Sequence, residues 1–266
     1  MRNLIIAGII LQLLSCDSRI IQLDLGAGQW IDLTHTFGDQ TIYWPTSDPF
    51  LLDTVSEGIT DAGYYYSAFS FCTAEHGGTH MDAPVHFAAG MQAMDEVPID
   101  RLIGEAVVLD VSLAALLDPD YQISIEDFVQ WEDVHGQIPN QAIVLIHTGY
   151  AKFWPDPVKY MGTAEKGAEA VAKLHFPGLD PIAARWLVEE RTIKAIGLDT
   201  PSIDYGQSQL FETHRILFAE NIPAFENVAN LDQVPSLGSW VIALPMKIAG
   251  GSGGPLRIVA WTPPDS

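Results

Sequence analysis

At 266 residues the chain could form one large domain or two small ones, and 48% hydrophobic content is ample for a sizeable core. Asp and Glu number 34 against 13 Lys and Arg, for a net charge of −21. Such a surface repels phosphates and anionic membranes and excludes nucleic acid as a partner. With only Cys16 and Cys72 present, a disulfide framework is excluded as well.

The first residues read as a targeting segment. Arg2 is the only charge before Asp17, and residues 4–14 are apolar apart from Gly8 and Gln12. That is the length of a signal-peptide core and too short to span a bilayer comfortably. Leu13-Leu14-Ser15-Cys16 resembles a bacterial lipoprotein cleavage box, in which Cys16 carries the lipid and supplies the only membrane contact. The rivals are ordinary signal-peptidase cleavage between residues 15 and 18, and a buried N-terminal strand or helix. Residues 1–18 are therefore expected to export the protein, either secreted or lipid-anchored outside the cytoplasm. Residues 19–266 are expected to be one domain.

Residues 29–37 read as a first strand. Residues 64–75 alternate as a second, and Cys72 within them is expected to be a small buried hydrophobe. That strand delivers the chain into His76-Gly77-Gly78-Thr79-His80-Met81-Asp82-Ala83-Pro84-Val85-His86-Phe87. Gly77-Gly78 and Pro84 argue against a helix. A tight turn followed by an extended segment would put His80 and Asp82 on one face, since residues two apart point the same way. The turn would bring His76 back beside them. Neutral imidazole and carboxylate suit Zn, Mn or Fe(II), and His86 is placed to work as acid or base. The bland alternative is a polar loop whose histidines cap backbone carbonyls.

Residues 106–111 and 142–147 are short apolar runs, read as buried strands. Between them Ser124 and Asp127 resemble a capping box that opens a helix over 125–131. Residues 150–178 carry Pro155, Pro157, Gly162 and Gly167 and read as a partly helical excursion over the site, a candidate lid. A longer helix over 164–174 is the other reading. Asp180-Pro181 opens a helix to about residue 190, with Ile182, Trp186 and Leu187 on its buried stripe. Another strand spans 194–198, a helix over about 208–219 carries His214, and strands at 240–246 and 256–261 close the chain. The Gly-rich run 250–255 lacks the Gly-Lys-Ser/Thr of a P-loop and reads as a mobile or tightly turned loop, the alternative being close approach of its backbone to the substrate, with Arg257 structural. Strands with intervening helices indicate an α/β class. Neither G-x-S-x-G nor H-E-x-x-H occurs, which weighs against an α/β-hydrolase and a zincin protease.

The pattern H-x-G-T-H-x-D-x-P-x-H-F at 76–87 resembles the signature of the metal-dependent cyclase-like hydrolases. That family includes kynurenine formamidase, isatin hydrolase and a dienelactone hydrolase. Gly197-Leu198-Asp199-Thr200-Pro201-Ser202-Ile203-Asp204 resembles its second block, and His214 followed by Glu226-Asn227 its third. The resemblance runs from about Trp30 to Trp261. Segment 174–178 (Leu-His-Phe-Pro-Gly) and the overall length look closest to isatin hydrolase-like members.

The resemblance implies a single α/β domain of swivelling β/β/α architecture. It implies metal ligands His76, His80 and Asp82, a second set of His214 and Glu226 with Asp82 able to bridge, and one or two divalent ions, Mn or Zn. Read alone, Glu226-Asn227 is a polar turn after a strand, and His214 a helix-face histidine bonded to a carboxylate. Tyr43-Trp44-Pro45 resembles the family's entrance segment. Phe37, Tyr43 and Trp44, with Phe50 and residues 64–66, are candidates to hold a flat substrate, although an aromatic stripe is more often core.

The expected activity is hydrolysis of a non-peptide C–N bond, in an isatin-like cyclic amide or an aryl formamide, by a metal-activated water with His86 as the catalytic acid and base. The alternatives are a lactone hydrolase and a non-catalytic metal-bearing protein that binds aromatic metabolites. His86 separates the last from the enzymes, since a binder has no use for an unligated base. A homo-oligomer, as a homodimer, is the expected assembly.

Overall fold

The apolar runs build a central sheet, seen in a computed structural model that describes residues 24–264. The leader expected over 1–18, with Cys16, lies outside the described residues. The strands are β1 (Gln29–Asp32), β2 (Leu51–Ile59), β3 (Tyr65–Cys72), β4 (His80–Asp82), β5 (Ile103–Asp110) and β6 (Gln122–Ile123). They continue as β7 (Ile143–His147), β8 (Gly178–Leu179), β9 (Ala195–Leu198), β10 (Ala224–Glu226), β11 (Ser239–Pro245) and β12 (Gly253–Thr262). The helices are α1 (Ser112–Ala115), α2 (Ile125–His135), α3 (Pro157–Met161), α4 (Pro181–Trp186) and α5 (Glu212–Ala219).

Eight strands form one sheet in the order β1-β12-β11-β5-β7-β9-β10-β4. Because β12 also pairs with β4, this sheet closes on itself like a barrel. Strands β5, β7, β9 and β10 run parallel, and the remaining pairs are antiparallel. Alternate residues of the parallel strands face two different cores. Val107, Val144 and Ile196 pack under α2, α4 and α5, whereas Val108, Leu145 and Ala195 face Met81, Phe225 and Ile258. Burial on both faces explains why these strands read as continuous apolar runs.

The capping box is present: Ser124 N donates to Asp127 Oδ2 at 2.8 Å. The helix it opens runs beyond residue 131 to His135 and stops at Gly136, whose φ of 85° a side chain would resist. Two details of the helix after Asp180 differ from expectation. Leu187 is buried as expected, but Ile182 is exposed and Trp186 only half-buried, and Ala183 and Ala184 complete the buried stripe. Small residues at 183 and 184 let this helix approach its neighbours closely, which turns Ile182 outward. The helix over 208–219 is regular only from Glu212.

Residues 150–178 are not a loose lid. Tyr160, Leu174 and Phe176 are fully buried and pack with Ile42 and Tyr150 in a third small core. The excursion is a fixed wall with short helical turns at Tyr150–Phe153, Pro157–Met161 and Ala168–Lys173. Strands β2 and β3 form a separate two-stranded ribbon. Cys72 is exposed there rather than buried, because alternation predicts a strand without predicting that anything covers it. Among the described residues no helix is long and apolar enough to cross a membrane.

Candidate metal centre

Strand β4 lies between β10 and the start of β12, and this placement assembles the site. Its three residues are buried, with His80 and Asp82 on one face and Met81 in the core on the other. Glu226 is the register partner of His80 across β10, so the two side chains emerge side by side. His80 Nε2 lies 3.1 Å from Asp82 Oδ1 and 3.4 Å from Glu226 Oε2. Helix α5 brings in His214, whose Nε2 is 3.3 Å from Asp82 Oδ2 and 3.2 Å from Glu226 Oε1. The Gly-Gly turn returns His76, with Nδ1 2.7 Å from Asp82 Oδ1. Gly77 and Gly78 have φ of 158° and 57°. A side chain on Gly77 would also strike the Tyr43 ring.

The structure therefore brings together all five residues expected as ligands. They form two triads, His76–His80–Asp82 and Asp82–His214–Glu226, each with its donor atoms within 4.8 Å of one another. Partners outside the triads set which nitrogen of each ring faces inward. His80 Nδ1 donates to Gly78 O at 2.9 Å, and His214 Nδ1 donates to Asp204 Oδ2 at 2.5 Å. Each leaves Nε2 aimed at the carboxylates, the arrangement by which outer carboxylates and carbonyls orient metal-binding histidines. Among the described residues, His80 Nε2 is a buried nitrogen with no hydrogen-bond partner. Orphaned buried polar atoms are rare, and this one sits where a divalent cation would complete it. The donor set of imidazoles and carboxylates fits a divalent transition-metal ion.

The electrostatics agree. Burial alone would raise the pKa of Asp82, but the His76 charge and hydrogen bonds from His214 and His76 hold it well below the usual carboxylate range. Glu226 is raised by burial and by the neighbouring Asp82. Burial lowers His80, and Asp82 with Glu226 outweigh that and bring it up to about 9. Two buried carboxylates demand positive charge in their midst, which a metal supplies.

His86 ends a short turn, Pro84–His86, that carries it out of β4. Its ring stacks on His76 with centroids 3.8 Å apart, and burial takes its pKa down to about 4. It lines the cavity as a neutral imidazole at neutral pH. The cavity measures about 240 Å3, with the triads at its floor. Tyr43, Trp44, Phe87, Met161 and Phe211 wall it, and no Lys or Arg lines it. Trp44 meets Phe211 and Phe176 at tilted and edge-on angles.

Not every aromatic expected at the substrate is there. Phe37 is absent from the lining and packs behind Gly78 and against Phe50. Phe50 stacks on Phe71, and residues 64–66 lie out on the ribbon. Sequence reasoning also missed Glu75 and Ser252. Ser252 Oγ lies 3.0 Å from His76 Nε2 and donates to Glu75 Oε2 at 2.6 Å. The Gly-rich run is a working surface: a Cβ on Gly253 would sit 2.5 Å from His76 Cε1. The need for bare backbone there was the one signal available in sequence. Arg257 pairs with Asp32 at 2.7 Å on the surface, away from the cavity. Asn227, at φ 54°, donates to Gly78 O and accepts from Tyr160 OH, locking the turn that holds His80.

Known proteins share this architecture. Isatin hydrolase of Roseibium aggregatum is 29% identical over 253 residues, covering 90% of this chain and 93% of that protein. Kynurenine formamidase of Bacillus mycoides is 27% identical over 234 residues, covering 87% and 96%. The solved isatin hydrolase A from Labrenzia aggregata, bound to benzyl benzoate, superposes with a TM-score of 0.80 at 32% identity over 90% of this chain and 95% of that one. Isatin hydrolase A from Ralstonia solanacearum gives 0.78 at 30% identity, covering 89% and 93%. The family model described as putative cyclase matches residues 31–205, which hold β4, its Gly-Gly turn and Asp204. With most of its length matched by that model and its metal-binding strand inside the match, the chain belongs to the putative cyclase family.

Proposed function

We propose that the protein is an exported, metal-dependent hydrolase that opens a non-peptide C–N bond in a small, neutral aromatic amide, either a cyclic amide of the isatin type or an aryl formamide. The observation that carries this reading is Asp82, shared by two His/carboxylate triads beneath an aromatic cavity that His86 also lines. The relatives support the bond type: isatin hydrolases and kynurenine formamidases are the proteins this chain resembles, one of them solved with the product analogue thioisatinate.

His76, His80 and Asp82 would hold one ion, and His214 and Glu226 with Asp82 a second. The ion is Mn or Zn, one or two per chain. When bound, it supplies a Lewis acid that polarises the carbonyl and lowers the pKa of a water. Trp44, Phe87 and Phe211 flank the ring of the substrate. His86 takes a proton from water as the new C–O bond forms and returns it to the nitrogen as the C–N bond breaks. An amide nitrogen leaves poorly until protonated, so cleavage of the C–N bond requires this second transfer. The absence of Lys and Arg from the lining favours an uncharged substrate, and the net charge of −21 favours departure of an anionic product.

The test compares metal-stripped protein reloaded with Mn or Zn, assayed on isatin, an N-formyl aniline and an aryl lactone by absorbance. Metal-dependent turnover of one of the amides is expected. Turnover of the lactone alone would move the assignment to lactone hydrolysis. Tight binding of all three without turnover would make the protein a binder. Export rests on residues 1–18. A native N-terminus at or after Cys16, read by mass spectrometry, is expected, and retention of Met1 would overturn it.

A further inference from the structure

Ser252 stands between two glycines that clear space for its neighbours. A Cβ on Gly251 would fall 2.8 Å from Glu75 Oε1, and one on Gly253 would fall 2.5 Å from His76 Cε1. Ser252 touches both of these side chains. Its Oγ donates to Glu75 Oε2 at 2.6 Å and lies 3.0 Å from His76 Nε2. Its backbone is held separately. Ser252 N donates to Glu75 Oε2 at 3.1 Å, and its carbonyl accepts from Ala83 N at 2.9 Å, just past the end of β4. A hydroxyl has one proton to give, and a carboxylate can only accept. The Ser252 proton therefore goes to Glu75, and its oxygen is left to accept from His76 Nε2–H. An imidazole with its proton on Nε2 presents a bare Nδ1, and Nδ1 is the atom 2.7 Å from Asp82 Oδ1. Two acceptors face each other there, a pairing that a bound cation completes. His80 and His214 are set the other way, each donating from Nδ1, to Gly78 O and to Asp204.

We propose that Glu75 and Ser252 are positioning residues for the metal centre. Through the Ser252 hydroxyl, Glu75 holds the His76 proton on Nε2, so that His76 ligates through Nδ1 while His80 and His214 ligate through Nε2. Glu75 thus does through a hydroxyl what Asp204 does for His214 by direct contact, the task of an outer carboxylate beside a ligating histidine. His76 has the greatest need of such a hold. Its side chain is 24% exposed, against 2% for His80 and 3% for His214, so packing alone restrains it least. Turning its ring over would put Cδ2 toward Asp82 and Cε1 toward Ser252, and both contacts would be lost. The two bare glycines give the arrangement its room, which explains why the Gly-rich run carries a serine at its centre. The inference rests on the metal-binding reading above and is independent of the reaction the cavity performs.

Zinc is the probe, because it is diamagnetic and leaves histidine rings visible by 15N NMR. In the full chain, stripped and reloaded with zinc, His76 should keep its proton on Nε2 and bind zinc through Nδ1, the reverse of His80. His76 bound through Nε2 overturns the proposal. Ser252→Ala removes the hydroxyl but leaves both backbone hydrogen bonds of residue 252 in place. It should weaken zinc binding by about 10–100-fold, as loss of an outer partner does, with far-UV circular dichroism unchanged. Glu75→Gln can offer an N–H to Ser252 and so frees the hydroxyl to turn; it should weaken zinc binding as well. The double variant should lose no more than Ser252→Ala alone, because Glu75 acts through that hydroxyl, whereas independent roles would add. Unchanged affinity in Ser252→Ala, or additive losses in the double variant, overturns the proposal and leaves the metal-binding reading standing. An unmodified chain that takes up no zinc overturns both.

Discussion

Asp204 binds His214 twice, accepting from its ring Nδ1 at 2.5 Å and from its backbone N–H at 3.2 Å. One carboxylate thereby fixes both the start of α5 and the tautomer of the imidazole it presents. Burial raises the pKa of Asp204, and the His214 hydrogen bond and charge outweigh it and hold it below the usual range. Asp204→Asn should therefore leave the fold intact and weaken metal binding by about 10–100-fold, the usual effect of removing an outer partner of a ligating histidine. Metal titration of the stripped protein measures it. Unaltered affinity would remove His214 from the ligand set.

His86 stacks on His76 but lies outside both triads. His86→Ala should keep the metal content of the unmodified protein and lose turnover by about 10²–10⁴-fold, the contribution of a positioned acid and base. Release of metal in this variant would make the histidine a ligand. Near-normal turnover would assign the proton transfer to another group.

The local part of the site was legible because it is written locally. Alternation put His80 and Asp82 on one face, and β4 is extended through both. Periodicity could not place Glu226 opposite His80, since that pairing depends on the β4–β10 register across 146 residues of chain; only the resemblance brought it in. Ser252 and Glu75 went unread for the same reason: a serine in a Gly-rich run has no periodic signal, and its role exists only once β12 lies beside β4. Of the fold, strands β5, β7 and β9 stood out as apolar runs because both faces are buried. Cys72 was misread because alternation marks a strand but not what covers it.

Glu132 and Arg191 provide a pH test away from the centre. Arg191 Nε and the Glu132 carboxylate are 2.6 Å apart, Ile138 N also donates to that carboxylate, and the Arg191 guanidinium lies over Trp186. The Arg191 hydrogen bond holds Glu132 below the usual carboxylate value. A lowered folded-state pKa means the unfolded chain binds more protons in this window, so stability rises with pH. The contribution is complete above the unfolded value of about 4.3 and is lost as pH falls through the lower folded value. Glu132→Gln should cost about 1–3 kcal/mol at neutral pH, the worth of a charged hydrogen bond, and the gap should close in acid. Thermal melts at several pH values measure it; a gap independent of pH would contradict the assignment.

Gly253 tests whether the bare backbone beside His76 matters. Its ideal Cβ falls 2.5 Å from Cε1, 2.8 Å from Nδ1 and 3.0 Å from Nε2 of that ring. The ring cannot slide away, because His86 stacks against it with centroids 3.8 Å apart. Nor can it turn freely, since Nδ1 meets Asp82 and Nε2 meets Ser252. Gly253→Ala must therefore push His76 off Asp82 or push β12 off β4. The first is the smaller displacement, because β12 is held by β1 and β11 as well as by β4. Gly104→Ala is the control: the three atoms nearest its Cβ all belong to the flexible side chain of Lys194, the closest being Nζ, 2.9 Å away. Elsewhere a Gly→Ala change at a tolerant site stabilises by about 0.4–1 kcal/mol through the unfolded chain, so loss of stability alone would not separate the two variants. Metal affinity does. Gly253→Ala should lose at least about tenfold, as expected when a ligand is displaced, with far-UV circular dichroism unchanged, while Gly104→Ala binds as the unmodified protein does. Equal affinity in both variants would show that His76 does not hold the ion.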